Sequence, residues 1–230
     1  TGPLGDPVRA AWRFHRGTAV IEMASASGLT LVGGAENNDA IAASTTGTGE
    51  LIDRALDLGA ERIIVCLGGS ATTDGGLGAV QAIHAPARLK GVEFLVACDV
   101  TTRFVDAATV FAPQKGASAA QVRLLTSRLE RLVQLYRENH GVDVSAIDGA
   151  GAAGGLAGGL LALGARLVPG FDMVADEVDL VDRMKAADVV VTGEGRLDDT
   201  SFDGKVVGSV VELCRTLGKP VGAVVGAIEM

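Results

Sequence analysis

An α/β fold with a mostly parallel or mixed sheet and flanking helices is what this sequence predicts, on three observations. Short apolar runs, among them Arg62–Leu67 (RIIVCL), Glu93–Cys98 (EFLVAC) and Asp188–Thr192 (DVVVT), alternate with segments of helical period. Continuous apolar strands bounded by turns belong to sheets covered on both faces. The 230 residues are 48% hydrophobic but only 3% aromatic, and 32 are glycine, which suits tight strand–helix turns better than a sandwich or barrel.

In chain order, Arg9–Phe14 and Thr18–Met23 read as strands, and Ala35–Ser44 as a polar loop or helix entry. Thr45–Glu50 opens a helix over Leu51–Leu58, which Gly59 closes. Strand Arg62–Leu67 leads through the glycine-rich turn Gly68–Gly76 into helix Leu77–Ile83. Glu93–Cys98 is a buried strand ending at Asp99, and Val105–Phe111 is short and mixed. Ala119–Asn139 is amphipathic, with Val122, Leu125, Leu129, Leu132, Val133 and Tyr136 on one face. Asp148–Gly155 enters a small-residue helix over Leu156–Leu163, and Val178–Lys185 is a short helix. Strand Asp188–Thr192, loop Gly193–Gly204, helix Lys205–Leu217 and strand Val221–Val225 complete the reading. The chain divides into an α/β portion over 1–110 and a second over 111–230, with an abrupt join near 83–90 (IHAPARLK at Ile83–Lys90).

The formal net charge of −8 argues against binding nucleic acid or anionic membranes, which require a basic footprint. Anionic small molecules remain admissible, because backbone N–H groups hold them locally. Cys66, Cys98 and Cys214 form no CxxC pair, and the first two sit in apolar runs, as buried thiols of a reducing compartment do. The sequence has no signal peptide and no apolar span of membrane length, which predicts a cytoplasmic protein.

Three glycine-rich loops stand where an open α/β sheet binds ligands, at strand ends and helix starts. In Gly68–Gly76, the glycines Gly68, Gly69 and Gly75 admit an anion, Ser70 and Thr72 add hydroxyls, and Asp74 offers a carboxylate for a metal or a proton. The plain alternative is a tight turn with capping residues. Gly149–Gly154 is a literal GxGxxG containing Gly151 and Gly154, but the run before it, Val142–Ile147, is broken by Asp143 and Ser145. It reads as an anion site, as close helix packing, or as the cofactor loop of an NAD-linked oxidoreductase. The third loop, Thr192–Asp198, carries Glu194, Arg196 and Asp198, with Lys205 following. Its carboxylates suit a metal or hydroxyls and its cations suit phosphate, or else they pair at the surface. No GxxxxGK[ST] occurs. Asp99 closes a strand and points to the same crevice; Lys115, in Gln114-Lys115-Gly116, reads by default as a solvated cation. His15, His84 and His140 lie in polar contexts without ligand spacing.

Taken together, these motifs resemble the glycerate kinase type 1 family. The resemblance rests on Ile21–Leu29 (IEMASASGL), Gly47–Ile52 (GTGELI), Gly68–Gly76, Cys98-Asp99-Val100, Pro113–Ala117 (PQKGA), Gly149–Gly155, and Val191–Asp198 with Gly204-Lys205, in the family's order. It implies two α/β domains with a cleft, one complete here and the other, Rossmann-like, present in part. It also implies transfer of phosphate from ATP, with Mg²⁺, to a hydroxyl of D-glycerate, giving 2-phosphoglycerate in preference to 3-phosphoglycerate. Phosphoryl transfer depends on positioning and charge neutralisation, which such loops supply. Asp74 is then expected to accept the hydroxyl proton, with Asp198 in reserve. Asp99 and Glu194 would serve the metal. Gly68, Gly69, Ser70, Thr72, Gly75, Gly151, Gly154, Thr192 and Lys205 would serve substrate or phosphate. The family's Asp-Ser-Phe-Lys-Gly and Ala-Asp-Gly-Gly-Glu-Gly segments are not in this sequence. The expectation is a chain truncated at both ends, and a ligand-binding piece without turnover is the alternative. The oligomeric state is left open, a homo-oligomer included.

Overall fold

A computed structural model describes residues 1–198, 201 and 206–229, with the side chain of residue 198 left aside. It contains two compact units, Thr1–Val168 and Pro169–Met230. The sequence-based division after residue 110 falls inside the first unit, within a helix.

The first unit is built on five strands whose spatial order follows the chain: β1 (Arg13–His15), β2 (Thr18–Glu22), β3 (Arg62–Cys66), β4 (Glu93–Ala97) and β5 (Arg166–Val168). β1 runs antiparallel to β2, and the other pairings are parallel, with Ile21 opposite Val65 and Val65 opposite Val96. The sheet is therefore mixed but mostly parallel, as expected. Ile21, Ile63, Val65 and Val96 are fully buried, since β-branched side chains pack well on a pleated surface covered on both sides.

Six helices flank this sheet: α1 (Ala24–Ser27), α2 (Thr46–Asp57), α3 (Leu77–Ala82), α4 (Ala107–Phe111), α5 (Ala119–His140) and α6 (Ala152–Ala162). Ile52, Leu156 and Leu160 join the strands in one core; Phe104, Leu125, Leu129 and Tyr136 form a second around α5. α5 begins at a reciprocal capping box between Ser118 and Gln121 and ends at left-handed Gly141. α2 starts five residues earlier than its propensities suggest. Gly47 and Gly49 lie inside it because a Cβ would stand 1.8 Å from the Thr1 carbonyl oxygen and 2.4 Å from that of Ala79. The backbones pack too closely there for any side chain.

In the second unit, α7 (Gly170–Glu177), α8 (Leu180–Ala186) and α9 (Val206–Leu217) accompany a parallel pair, β6 (Val190–Asp198) and β7 (Val221–Glu229). Met184, Val210 and Cys214 form its core. β6 corrects the expected loop. The backbone stays extended through Gly193–Asp198 because β7 pairs with it along that whole length, Glu194 opposite Val225 and Arg196 opposite Ala227. No helix among the described residues is long and apolar enough to cross a membrane.

Candidate active site

The carboxyl ends of β3 and β4 open into a cavity of about 410 Å³. Leu67–Ser70 come from the end of β3 and Cys98–Val100 from the end of β4. The turn Pro113–Lys115 and the start of α6, Ala152 and Ala153, complete the walls together with Leu29. Parallel strands deliver their outgoing loops to one edge, and for this reason the wall is assembled from distant sequence positions.

Gly68, Gly69, Ser70 and Asp99 of the expected set thus share one cavity. Gly68 and Gly69 are exposed and Ser70 is buried, held by a bridge to Gly28 and by the Leu29 amide donating to the Gly69 carbonyl (2.8 Å). Asp99 is exposed at the end of its strand. Ala153 takes a left-handed conformation (φ 52°, ψ 41°) directly after helical Ala152. A right-handed residue followed by a left-handed one turns successive N–H groups toward one side, a concavity that accepts anions. For an alanine this backbone is strained, as functional sites often are.

Thr72, Thr73 and Asp74 lie deeper. Thr72 and Thr73 are buried, with hydroxyl oxygens that have no hydrogen-bond partner. Asp74, expected as the proton acceptor, has both carboxylate oxygens engaged within the fold. Its Oδ2 accepts from the Thr45 amide (2.8 Å), the Thr45 hydroxyl (2.8 Å) and the Gly78 amide (3.1 Å), and its Oδ1 from the Gly76 amide (3.1 Å). A carboxylate with four donors is holding the start of α3 to the start of α2, since orphan amides at a helix N-terminus need such a partner. Asp74 lines a separate cavity of about 400 Å³, together with Leu77, Arg128, Arg131, Leu132 and Leu135.

Gly75, Gly151 and Gly154 are packing positions. A Cβ would stand 2.5 Å from Leu132 Cδ1 at Gly75, 2.3 Å from the Arg103 carbonyl oxygen at Gly151 and 2.0 Å from the Thr72 carbonyl oxygen at Gly154. A 3-10 turn, Val144–Ala146, stands before Gly149 where a dinucleotide fingerprint requires a strand.

In the second unit, Thr192 and Glu194 are half-buried on β6, and Glu194 Oε1 is buried without a hydrogen-bond partner. Arg196 pairs with Glu229 of β7 at 2.5 Å. The Asp198 side chain and Lys205 lie outside the described residues.

Lys115 is the residue that sequence reasoning undervalued. It is 3% exposed, its Nζ donates to the Thr72 carbonyl at 2.6 Å, and it lines the first cavity. Burial pulls its pKa down to about 7, although the nearby Asp74 charge works in the opposite direction. The available signal was its position between a helix-ending Pro and a Gly, where a turn rather than a free surface holds the lysine. Burial also raises the thiol pKa of Cys98, which is half-buried and donates to the Val100 carbonyl (3.3 Å). This thiol stays protonated, a wall and not a nucleophile.

A metal cage is not part of this arrangement: no group of three His, Cys, Asp or Glu among the described residues is placed to hold an ion. One carboxylate beside a glycine-rich loop suits Mg²⁺ all the same, because that ion keeps several waters and takes one or two carboxylates plus substrate phosphates. Asp99 is the carboxylate in that position.

The family model for the glycerate kinase family matches residues 1–86 and 83–230, two segments that meet at the abrupt join noted above. The chain is 40% identical over 262 residues to the glycerate 2-kinase of Escherichia coli K12, covering 99% of this chain and 68% of that protein. It is 43% identical over 239 residues to an uncharacterized protein of Mycobacterium bovis, covering all of this chain and 63% of the relative. A crystal structure described as glycerate kinase 2 from Salmonella typhimurium LT2 superposes with a TM-score of 0.84 at 36% identity, over all of this chain and 72% of the other. The chain spans about two thirds of the length of the proteins it matches.

Proposed function

The chain belongs to the glycerate kinase family, and from that premise we propose that it transfers the terminal phosphoryl group of ATP to a hydroxyl of D-glycerate, favouring 2-phosphoglycerate over 3-phosphoglycerate. The observation that carries this reading is the convergence of Gly68, Gly69, Ser70, Asp99 and Lys115 on one cavity. That combination supplies what phosphoryl transfer asks of a protein: oriented donors for phosphate oxygens, a carboxylate for a phosphate-bound cation, and a positive charge.

In this reading the Gly68–Ser70 backbone, the Ser70 hydroxyl and the Ala153 amide bind phosphate oxygens, the Ala152 amide being engaged by the Gly149 carbonyl (3.0 Å). Asp99 would hold Mg²⁺, which would supply charge neutralisation on the phosphates. The substrate hydroxyl oxygen forms a bond to phosphorus as the bond to ADP breaks, and its proton passes to solvent. Asp74 and Thr72 support the loop from behind. Thr192, Glu194, Asp198 and Lys205 keep their expected roles toward substrate, metal and phosphate on the strength of their motif alone. A cytoplasmic location and a homo-oligomer are compatible with this chemistry.

The test is ADP release measured with and without D-glycerate, the product being passed directly to enolase, which consumes only 2-phosphoglycerate. Glycerate-dependent ADP with an equal yield of enolase product is the expected result. ATP turnover indifferent to glycerate would overturn the reading. Glycerate binding without ADP release would identify a ligand-binding piece.

A further inference from the structure

A lysine that is 3% exposed is expensive to keep, since the ammonium gives up water for whatever partners the interior provides. Lys115 receives one neutral carbonyl, that of Thr72, and among the described residues no carboxylate stands within ion-pair distance of it. An ammonium carries three N–H donors, so a single carbonyl leaves capacity for an anion. Simple space-filling would be met better by an apolar side chain.

Its placement is rigid. The turn Pro113–Lys115 ends at Gly116, whose left-handed φ of 90° and approach to Ala35 (a Cβ would lie 2.2 Å from the Ala35 carbonyl oxygen) exclude any other residue. Asn38 Nδ2 donates both to the Ala71 carbonyl (2.9 Å) and to the Lys115 carbonyl (2.8 Å), stapling the lysine turn to the glycine loop. Lys115 is therefore fixed relative to Gly68–Ser70, on a different wall of the same cavity, with its ammonium against the Thr72 carbonyl.

We propose that Lys115 receives the carboxylate of the acceptor, so that this site selects a hydroxy acid over a neutral polyol. The assignment rests on the reading of the cavity as a site of phosphoryl transfer to glycerate. A carboxylate matches the single buried charge of the lysine, whereas a nucleotide's phosphates have the loop amides and a metal to neutralise them. The carboxylate that acts on the ammonium is Asp74, whose oxygens are filled by four donors, and Asp99 lines the same cavity. Neither displaces an incoming carboxylate.

The experiment compares D-glycerate with glyceramide, its neutral counterpart, in the wild type and in Lys115→Gln and Lys115→Met. Gln keeps a donor in reach of the Thr72 carbonyl without the charge; Met keeps the length without either. The expected result is a rise of roughly 30- to 100-fold in the KM for glycerate, with the KM for ATP changed less than threefold and glyceramide unaffected. Lys115→Arg should recover part of the loss. Equal losses for glycerate and glyceramide would make Lys115 a packing residue, and a rise confined to ATP would make it a phosphate ligand; either overturns the assignment. If the wild type releases no ADP, phosphoryl transfer fails as a reading. Lys115 is then judged by whether glycerate raises the melting temperature more than glyceramide does, and whether Lys115→Gln abolishes that difference. If neither uncharged variant folds, the wild type decides: a KM for glyceramide at least about 30-fold above that for glycerate supports the proposal, and equal KM values refute it.

Discussion

The loops Gly68–Gly76 and Gly149–Gly155 look alike as strings of small residues, yet their glycines meet different neighbours. At Gly69 a Cβ would find only the Ala24 Cβ at 3.7 Å, an ordinary contact, and at Gly68 it would find nothing within 4 Å. Both line the cavity. The far end of that loop and the second loop instead interlock: Gly154 against the Thr72 carbonyl, Gly155 against the Gly75 Cα at 2.8 Å, Gly76 against the Gly159 Cα at 3.1 Å. The Gly75 amide donates to the Gly154 carbonyl at 3.0 Å, fastening the seam. Glycine serves ligand approach in one region and backbone-to-backbone packing in the other.

The sharpest way to break this contrast is to place one methyl group in each region. Gly69 and Gly154 share a left-handed backbone, φ 62° and φ 69°, so alanine carries the same conformational penalty of about 1–2 kcal/mol at both. Gly154→Ala adds a collision 2.0 Å from a carbonyl oxygen. Chemical denaturation should show a loss of more than about 4 kcal/mol for Gly154→Ala and only about 1–2 kcal/mol for Gly69→Ala, which should weaken ATP binding instead. Equal losses would mean that the seam yields and the distinction is empty.

Asp74 tests the locked region by its polar contacts. Asparagine keeps the shape but must present its NH₂ group either to the Gly76 amide or to the Thr45 and Gly78 amides, each of which points its own hydrogen there. Asp74→Asn should lose about 2–3 kcal/mol of stability, with the residual kcat of the folded fraction within severalfold of wild type. A stable protein with kcat reduced a thousandfold would return Asp74 to the role of proton acceptor.

How much of this was legible depends on what fixes each element. β3 and β4 are readable because Ile63–Val65 and Phe94–Ala97 are consecutive apolar residues buried on both faces, and α5 because its apolar stripe and Ser118–Gln121 cap are local. β5 escapes notice at three residues, RLV, which only its pairing with β4 makes a strand. Gly47 and Gly49 disguise the first turn of α2, since glycine's helix-breaking tendency is overridden by contact with Thr1 and Ala79. Gly193–Asp198 reads as a loop until β7 supplies its partner. In the cavity, Gly68–Ser70 and Asp99 follow from strand–loop order alone. The buried state of Lys115 does not, because it depends on Asn38, Thr72 and Gly116, which come from separate parts of the chain.

Thr72 is where the two regions meet. Its carbonyl oxygen is the atom against which Gly154 packs and also the acceptor of the Lys115 ammonium. The lysine should therefore report on the folded state through its proton. Its folded pKa of about 7 lies below the ordinary lysine value of 10.5. Between those two values the unfolded chain holds a proton that the folded chain has released, so stability rises with pH, by at most about 1.4 kcal/mol per unit. Below pH 7 both states are protonated and the slope vanishes. The thiols of Cys66, Cys98 and Cys214 act in the opposite sense: burial raises them, so the unfolded chain loses their protons first and stability falls on the alkaline side of their ordinary value. The lysine contribution is consequently clearest between pH 7 and about 8.5, as the difference between wild type and Lys115→Gln in urea unfolding. A difference that grows across this interval in favour of the wild type ties the cavity's cation to the packed seam. A difference independent of pH would mean that Lys115 keeps its proton throughout, its charge already met within the fold.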